Sequence, residues 1–171
     1  GAELGLSVDE QQQLALLSAQ QVKGFASSLK RKRLGEVREL LPLTARVLGK
    51  DCSKLFWQYA ETYVPQGIKK HWEDALAFAS FVQNVEKIEP SWIVDLVRYE
   101  EAWLQASVPN CRFQVCWFNY NISWLVRSLT DNWRTPRAIY QPTIAIWFRL
   151  TPKGKLRHKV LSLFTSFNAP N

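Results

Sequence analysis

The sequence predicts an α+β fold: an all-α helical domain followed by a small α+β domain that contains an antiparallel hairpin. Apolar residues recur at helical spacing up to about residue 106, and from about residue 110 they alternate with polar residues. The composition, 47% hydrophobic and 13% aromatic over 171 residues, is that of a folded protein with a large core. We therefore expect a helical domain over residues 1–106 and an α+β domain over residues 110–171.

Five or six helices joined by short links are predicted before residue 106. Ser7 and Glu10 form the S-x-x-E pattern of a capping box, which indicates a first helix that runs to about Phe25. A second helical stretch is expected from Ser28. The later helices are recognised by apolar residues three and four positions apart, over residues 42–48, 52–63, 68–85 and 90–103.

The helix at 90–103 places a carboxylate among apolar residues. On a helical wheel Glu100 lies near the middle of the apolar arc, whereas Arg98 and Glu101 lie on the other side. We expect Glu100 and Arg98 to form a structural site, in which the buried carboxylate meets an arginine, a lysine or several backbone or hydroxyl donors, or else is neutral. Glu100 and Glu101 make a poor acid/base pair because adjacent helical residues diverge by about 100°.

The period changes after Asn110. Alternation over 113–117 predicts a strand, and 122–129 is either a continuation of that strand or a short helix. The clearest strand is 143–149. Thr151-Pro152-Lys153-Gly154 provides a turn, and 155–161 is the returning strand of a hairpin with one basic face.

The formal charge of +7 and the isoelectric point near 9.5 suggest an acidic partner: nucleic acid, an acidic peptide or an acidic protein face. The densest basic run lies in the second helical stretch, and more cations border the last two strands. The candidate basic binding surface consists of Lys30, Arg31, Lys32, Arg33, Arg149, Lys155, Arg157 and Lys159.

Several function classes lack support in the sequence. There is no Walker A loop, GxGxxG, GxSxG or HExxH motif, so we expect a protein that is not an enzyme. Three cysteines without a CxxC pair and two distant histidines favour neither a metal site nor a cofactor. No apolar run approaches the roughly 20 residues that span a bilayer, and the first ten residues are unlike a signal peptide, so we expect a cytoplasmic protein.

A series of residues between Leu41 and Trp103 resembles the N-terminal domain of HvfC-type proteins, a family long catalogued under a DNA-binding label. The strand that ends Trp147-Phe148-Arg149 is more weakly similar to the smaller C-terminal domain of that family. The matching positions, in order, are Pro42, Leu48-Gly49, Phe56, Tyr59, Tyr63, Pro65, Phe78, Phe81 and the pair Arg98 and Glu100.

The resemblance implies a non-catalytic adaptor. Such a protein pairs with a multinuclear iron-dependent oxidase and helps to present a ribosomally made precursor peptide to it. The older family label implies the alternative, a DNA-binding transcriptional regulator that uses a basic helical surface. We expect the adaptor, because no recognition helix with base-reading residues at its start stands out in the sequence.

Overall fold

Six helices and three strands follow one another in the part of the chain that the structure describes. The structure is a computed structural model that describes residues 7, 10, 19–66, 70–131, 138–151 and 154–163. The fold is α+β, as the sequence predicts. The elements are α1 (Ala19–Leu40), α2 (Pro42–Leu48), α3 (Lys50–Thr62), α4 (Lys70–Gln83), α5 (Trp92–Ser107), β1 (Phe113–Phe118), α6 (Ile122–Asp131), β2 (Thr143–Phe148) and β3 (Arg157–Ser162).

Helix α1 is continuous across residues 25–28, where the sequence analysis separates two helices. The stretch contains no proline, and a glycine such as Gly24 costs a helix only about 1 kcal/mol, so nothing there ends it. Ser7 and Glu10 make the hydrogen bonds of a capping box: the Ser7 N–H donates to Glu10 Oε2 at 2.8 Å, and the Glu10 N–H donates to Ser7 Oγ at 3.4 Å. The expected helix between Glu10 and Ala19 lies outside the described residues.

Helix α5 is the centre of the molecule. It packs against α2, α4 and α6 and against the sheet through β1 and β2, while α1 packs against α4. The core between the helices is built on fully buried side chains, including Phe56, Phe78 and Leu96. Phe56 and Phe78 meet edge to face with their ring centroids 5.4 Å apart, a favourable aromatic geometry.

The three strands form one antiparallel sheet in the order β1-β2-β3. The segment 122–129, which the sequence leaves open between strand and helix, is helix α6. The Asn121 side chain accepts the Trp124 N–H at 3.0 Å at its start, and Ile122, Leu125 and Leu129 are its buried side chains.

The hairpin of β2 and β3 forms where the sequence predicts it. Of the expected turn, Pro152 and Lys153 lie outside the described residues, and the Gly154 N–H donates to the Thr151 carbonyl at 2.9 Å. A Cβ atom at Gly154 would lie 2.7 Å from Thr151 Oγ1, so this tight turn favours glycine.

Candidate interaction surface

The sheet has one face toward the helices and one face toward solvent. Thr143, Ala145 and Trp147 of β2 are buried on the inner face. The strand register places nine side chains on the opposite face, which we call the outer sheet face. In rows across the sheet these are Phe113, Phe148 and Arg157; Val115, Ile146 and Lys159; and Trp117, Ile144 and Leu161.

The outer sheet face is apolar and exposed. Phe113 is 64% exposed and Trp117 is 49% exposed, and Val115 between them is also exposed. The side chains of β2 on this face are half-buried because its two neighbouring strands shield them. Seven of the nine residues are apolar, and contiguous exposed apolar faces are typical of interaction sites.

Cations border the apolar part of this face along β3. Arg157 and Lys159 are exposed on the face itself, and the exposed Lys155 precedes the strand. After Ser107 the sequence contains nine lysines and arginines but only one acidic residue, Asp131, which gives a formal charge of +8. Residues 1–107 contain 13 basic and 14 acidic residues, a charge of −1. The positive charge of the protein therefore belongs to the sheet-bearing part.

Arg149, which the sequence analysis assigns to the basic binding surface, instead binds the end of α5. Its guanidinium donates to the carbonyl oxygens of Ala106 at 2.7 Å and Cys111 at 2.8 Å, and to those of Ser107 and Val108 at 3.2 Å. The last carbonyl groups of a helix have no partner within it, and a cation is favourable there. Arg149 thus joins α5 to the sheet.

The basic run on α1 divides between surface and interior. Arg31 and Lys32 are exposed, and the Lys30 ammonium lies 5.6 Å from the centroid of the Trp57 ring. Arg33 turns inward, where its side chain is 13% exposed and makes two 2.8 Å hydrogen bonds to Asp74. This correction to the expected surface follows from the position of Asp74 on the facing helix α4.

The Arg33–Asp74 pair is part of a buried network. The Tyr59 hydroxyl donates to Asp74 Oδ1 at 2.7 Å, and Arg33 also donates to the Tyr63 carbonyl at 3.1 Å. Hydrogen bonding to Asp74 raises the pKa of Arg33. Burial, together with the hydrogen bond to Asp74, raises the pKa of Tyr59. Each charged group has its partner, so the network fixes α1 against α3 and α4.

Glu100 is buried, with 7% of its surface exposed, at the position that the apolar arc predicts. Its partners are the backbone N–H groups of Leu43 and Thr44, which donate to Oε1 and Oε2 at 2.8 and 2.7 Å. These N–H groups lie in the first turn of α2, where a carboxylate is favourable. Burial raises the pKa of Glu100, and the hydrogen bonds from Thr44 and Leu43 oppose this shift.

Arg98 pairs with Asp95 rather than with Glu100, at 3.7 Å. Asp95 is a second buried carboxylate on α5, and its Oδ2 accepts the N–H groups of Asn119 at 2.7 Å and Tyr120 at 3.0 Å. Burial raises the pKa of Asp95 against these hydrogen bonds. Helix α5 therefore uses Glu100 to hold the helical part and Asp95 to hold the β1–α6 connection.

The described residues contain no group of three or more His, Cys, Asp or Glu side chains that could hold a metal ion. The cysteines Cys52, Cys111 and Cys116 are free. Among the helices that the structure describes, none is both long and apolar enough to cross a membrane. With the buried carboxylates engaged in structural contacts, the outer sheet face is the strongest candidate for a functional site.

The outer sheet face is the reverse of what the alternation in β1 predicts. The alternation in β1 sets Phe113, Val115 and Trp117 against Gln114 and Cys116, and a solvated sheet would bury the more apolar set. The structure places the apolar set outside. The sequence of β2 does indicate a second apolar face, because Ile144, Ile146 and Phe148 alternate with Ala145 and Trp147. A strand that is apolar on both sides is expected to be covered on both sides.

Part of the chain matches a protein-family model. A family model described as the SCO6045-like, C-terminal domain matches residues 17–84, which extend from just before α1 to the end of α4. This part of the chain is similar to that uncharacterised family, and the match gives no specific support to the HvfC-type resemblance. A comparison with curated proteins found no match.

Proposed function

We propose that this chain is a non-catalytic adaptor that binds a protein partner through the outer sheet face. The observation behind the proposal is the exposed apolar surface of β1 and β2, bordered by the cations of β3. The centres of protein interfaces are apolar and rich in aromatic residues, and arginine is also enriched there. Phe113, Trp117 and Arg157 fit this composition.

An adaptor needs a second surface, and helix α1 offers one. Val22, Phe25 and Leu29 lie three and four residues apart on one side of its first turns, and each is more than half exposed. Leu29 and Val64 also line a groove of about 490 Å³ beside α4. Helix α1 packs against α4, α4 packs against α5, and α5 packs against the sheet. The stripe on α1 and the outer sheet face are therefore separate surfaces that can bind different molecules.

The HvfC-type resemblance supplies the finer proposal. On that basis the partner is a multinuclear iron-dependent oxidase, and the second ligand is an acidic precursor peptide that the oxidase modifies.

The test is to ask whether an iron-dependent oxidase is encoded beside this gene and, if so, to measure its binding to the purified chain. We expect the double variant Val115→Ser/Trp117→Ser to weaken binding by about tenfold or more, because both side chains lose their apolar contact area. The control is Leu150→Ser, which removes a leucine that lies outside the three strands and is more exposed than Val115 or Trp117. Equal affinities for the double variant and the control would refute the proposal.

The alternative function is nucleic-acid binding, for which the same face offers aromatic rings and cations. Exposed aromatic rings such as Phe113 and Trp117 can stack on the bases of a single strand, and cations can follow its backbone. Four of the seven apolar residues on the face are aliphatic, however, and do not stack on bases. This composition favours a protein, and a single-stranded oligonucleotide that displaces the oxidase from the face would favour the alternative.

A further inference from the structure

We infer that the outer sheet face receives a single amphipathic helix of the partner, with acidic residues on the flank that lies over β3. The inference rests on the proposed function and names the kind of segment that the face accepts. It follows from the dimensions of the sheet, from the distribution of charge on it and from the charge of the chain's own exposed helix.

The dimensions of the face match one helix. Three strands about 4.8 Å apart give a sheet about 10 Å across, and six residues per strand give a length of about 20 Å. A helix with its side chains is about 10 Å wide, and about 13 residues span 20 Å at its rise. The inner face of the same sheet is already covered by helix α5, so a helix on the outer face would give the sheet a second helical layer.

The charge on the face gives the helix an orientation. On the outer sheet face the side chains of β1 and β2 are all apolar, whereas those of β3 are Arg157, Lys159 and then Leu161. Residues two apart on a strand are separated by about 6.7 Å, and residues four apart on a helix by about 6 Å. A pair of acidic residues at positions i and i+4 of the partner helix can therefore meet Arg157 and Lys159 together.

A second copy of this chain is a poorer occupant. Its exposed helical stripe, Val22, Phe25 and Leu29, is accompanied by Lys23 and by the basic run from Lys30, so it would bring lysines toward Arg157 and Lys159. Two outer sheet faces packed on each other would likewise bring the cations of two +8 segments together. The charge distribution thus favours a different, acidic partner segment.

The probe is a pair of synthetic helical peptides of about 14 residues that share one leucine stripe. One peptide has glutamates at positions i and i+4 on one flank, and the other has lysines at the same positions. We expect the native protein to bind the glutamate peptide at least about tenfold more tightly. The protein variant Arg157→Glu/Lys159→Glu should reverse this preference, and Trp117→Ser should weaken both peptides.

The matched protein control is Arg31→Glu/Lys32→Glu, which reverses two exposed cations on α1 and should leave the preference unchanged. Equal binding of the two peptides, no binding of either, or a preference that the β3 variant fails to reverse would overturn the inference. Self-association of the native protein that Trp117→Ser abolishes, or displacement of the glutamate peptide by a single-stranded oligonucleotide, would overturn it in favour of those occupants.

These outcomes are distinguishable from failure of the proposed function. If Val115→Ser/Trp117→Ser weakens oxidase binding but the peptides show no charge preference, the face is a docking site for a segment of another kind. If the double variant leaves oxidase binding unchanged, the proposed function itself fails, whatever the peptides do.

Discussion

Among single residues, Glu100 shows what periodicity can predict and what it cannot. The apolar arc of α5 predicts a buried carboxylate, but its partners Leu43 and Thr44 are more than 50 residues earlier in the chain and donate through their backbone. No side-chain pattern encodes a backbone donor. The packing of α2 against α5 brings the groups together, and that packing is a property of the whole fold.

Replacing Glu100 with alanine should therefore destabilise the protein. The buried N–H of Thr44 and the partly buried N–H of Leu43 would lose their acceptor, which costs about 1–3 kcal/mol of the free energy of unfolding. Urea denaturation measures this cost, and Glu86→Ala, an exposed carboxylate outside the helices, is the control. Equal stability of the two variants would mean that the carboxylate is not needed at the start of α2.

We expect His158 to make the stability of the fold depend on pH. Its ring lies 4.8 Å from that of Trp147, its Nε2 is buried without a described partner, and burial lowers the pKa of His158. The unfolded chain therefore binds the proton more readily, and the contribution of His158 to stability falls as the pH decreases from about 6.5 toward the lowered pKa. Above about pH 6.5 this contribution is constant.

The variant His158→Phe should keep the aromatic packing and lose this dependence. Glu100 and Asp95, whose pKa values are raised, contribute with the opposite sign, so the comparison must be between the variant and the native protein at each pH. We expect the loss of stability between about pH 7 and pH 5 to be smaller in the variant. If the stability of the variant and that of the native protein changed with pH by the same amount, His158 would be excluded as the cause.

At the scale of elements, the sequence predicted the types of the segments better than their contacts. Helices α2 to α5 and the hairpin of β2 and β3 follow from the sequence, whereas α6 was left open between strand and helix. The predicted break between two helices at residues 25–28 was wrong. This part of α1 is exposed, and its residues do not show the regular apolar spacing from which a helix is recognised. The sequence also did not show which side of β1 faces the helices. The side chains that do so are Gln114, Cys116 and Phe118, which are together less apolar than the exposed Phe113, Val115 and Trp117.

Arg149 illustrates a contact between elements that sequence reading treats as surface charge. Its removal in Arg149→Ala should destabilise the protein by about 1–3 kcal/mol, because the carbonyl groups at the end of α5 lose their donor. Thermal or urea denaturation measures the change. Arg112→Ala, which removes an exposed arginine just before β1, should have little effect, and a similar loss in both variants would contradict the assigned role.

At the scale of the whole molecule, the charge is divided rather than spread. The helical residues up to Ser107 are nearly neutral, and the sheet-bearing residues carry +8, although the basic run on α1 is the most conspicuous feature of the sequence. Arg33 is paired with Asp74, so long-range attraction for an acidic partner should come chiefly from the residues after Ser107. Composition alone gives only the sum of these charges.

This division predicts how the protein responds to duplex DNA. Binding should be weak and without sequence preference, because cations are present but no recognition helix with base-reading residues at its start stands out in the sequence. If about six phosphates were contacted, the affinity would fall by roughly 10³ or more between about 50 and 200 mM salt. Reversal of charge at Arg157 and Lys159 should reduce the slope of affinity against salt more than reversal at Arg31 and Lys32, because the first pair lies within the +8 segment. A gel-shift assay at physiological salt that detects sub-micromolar, sequence-selective binding would refute the adaptor and establish the DNA-binding alternative in its place.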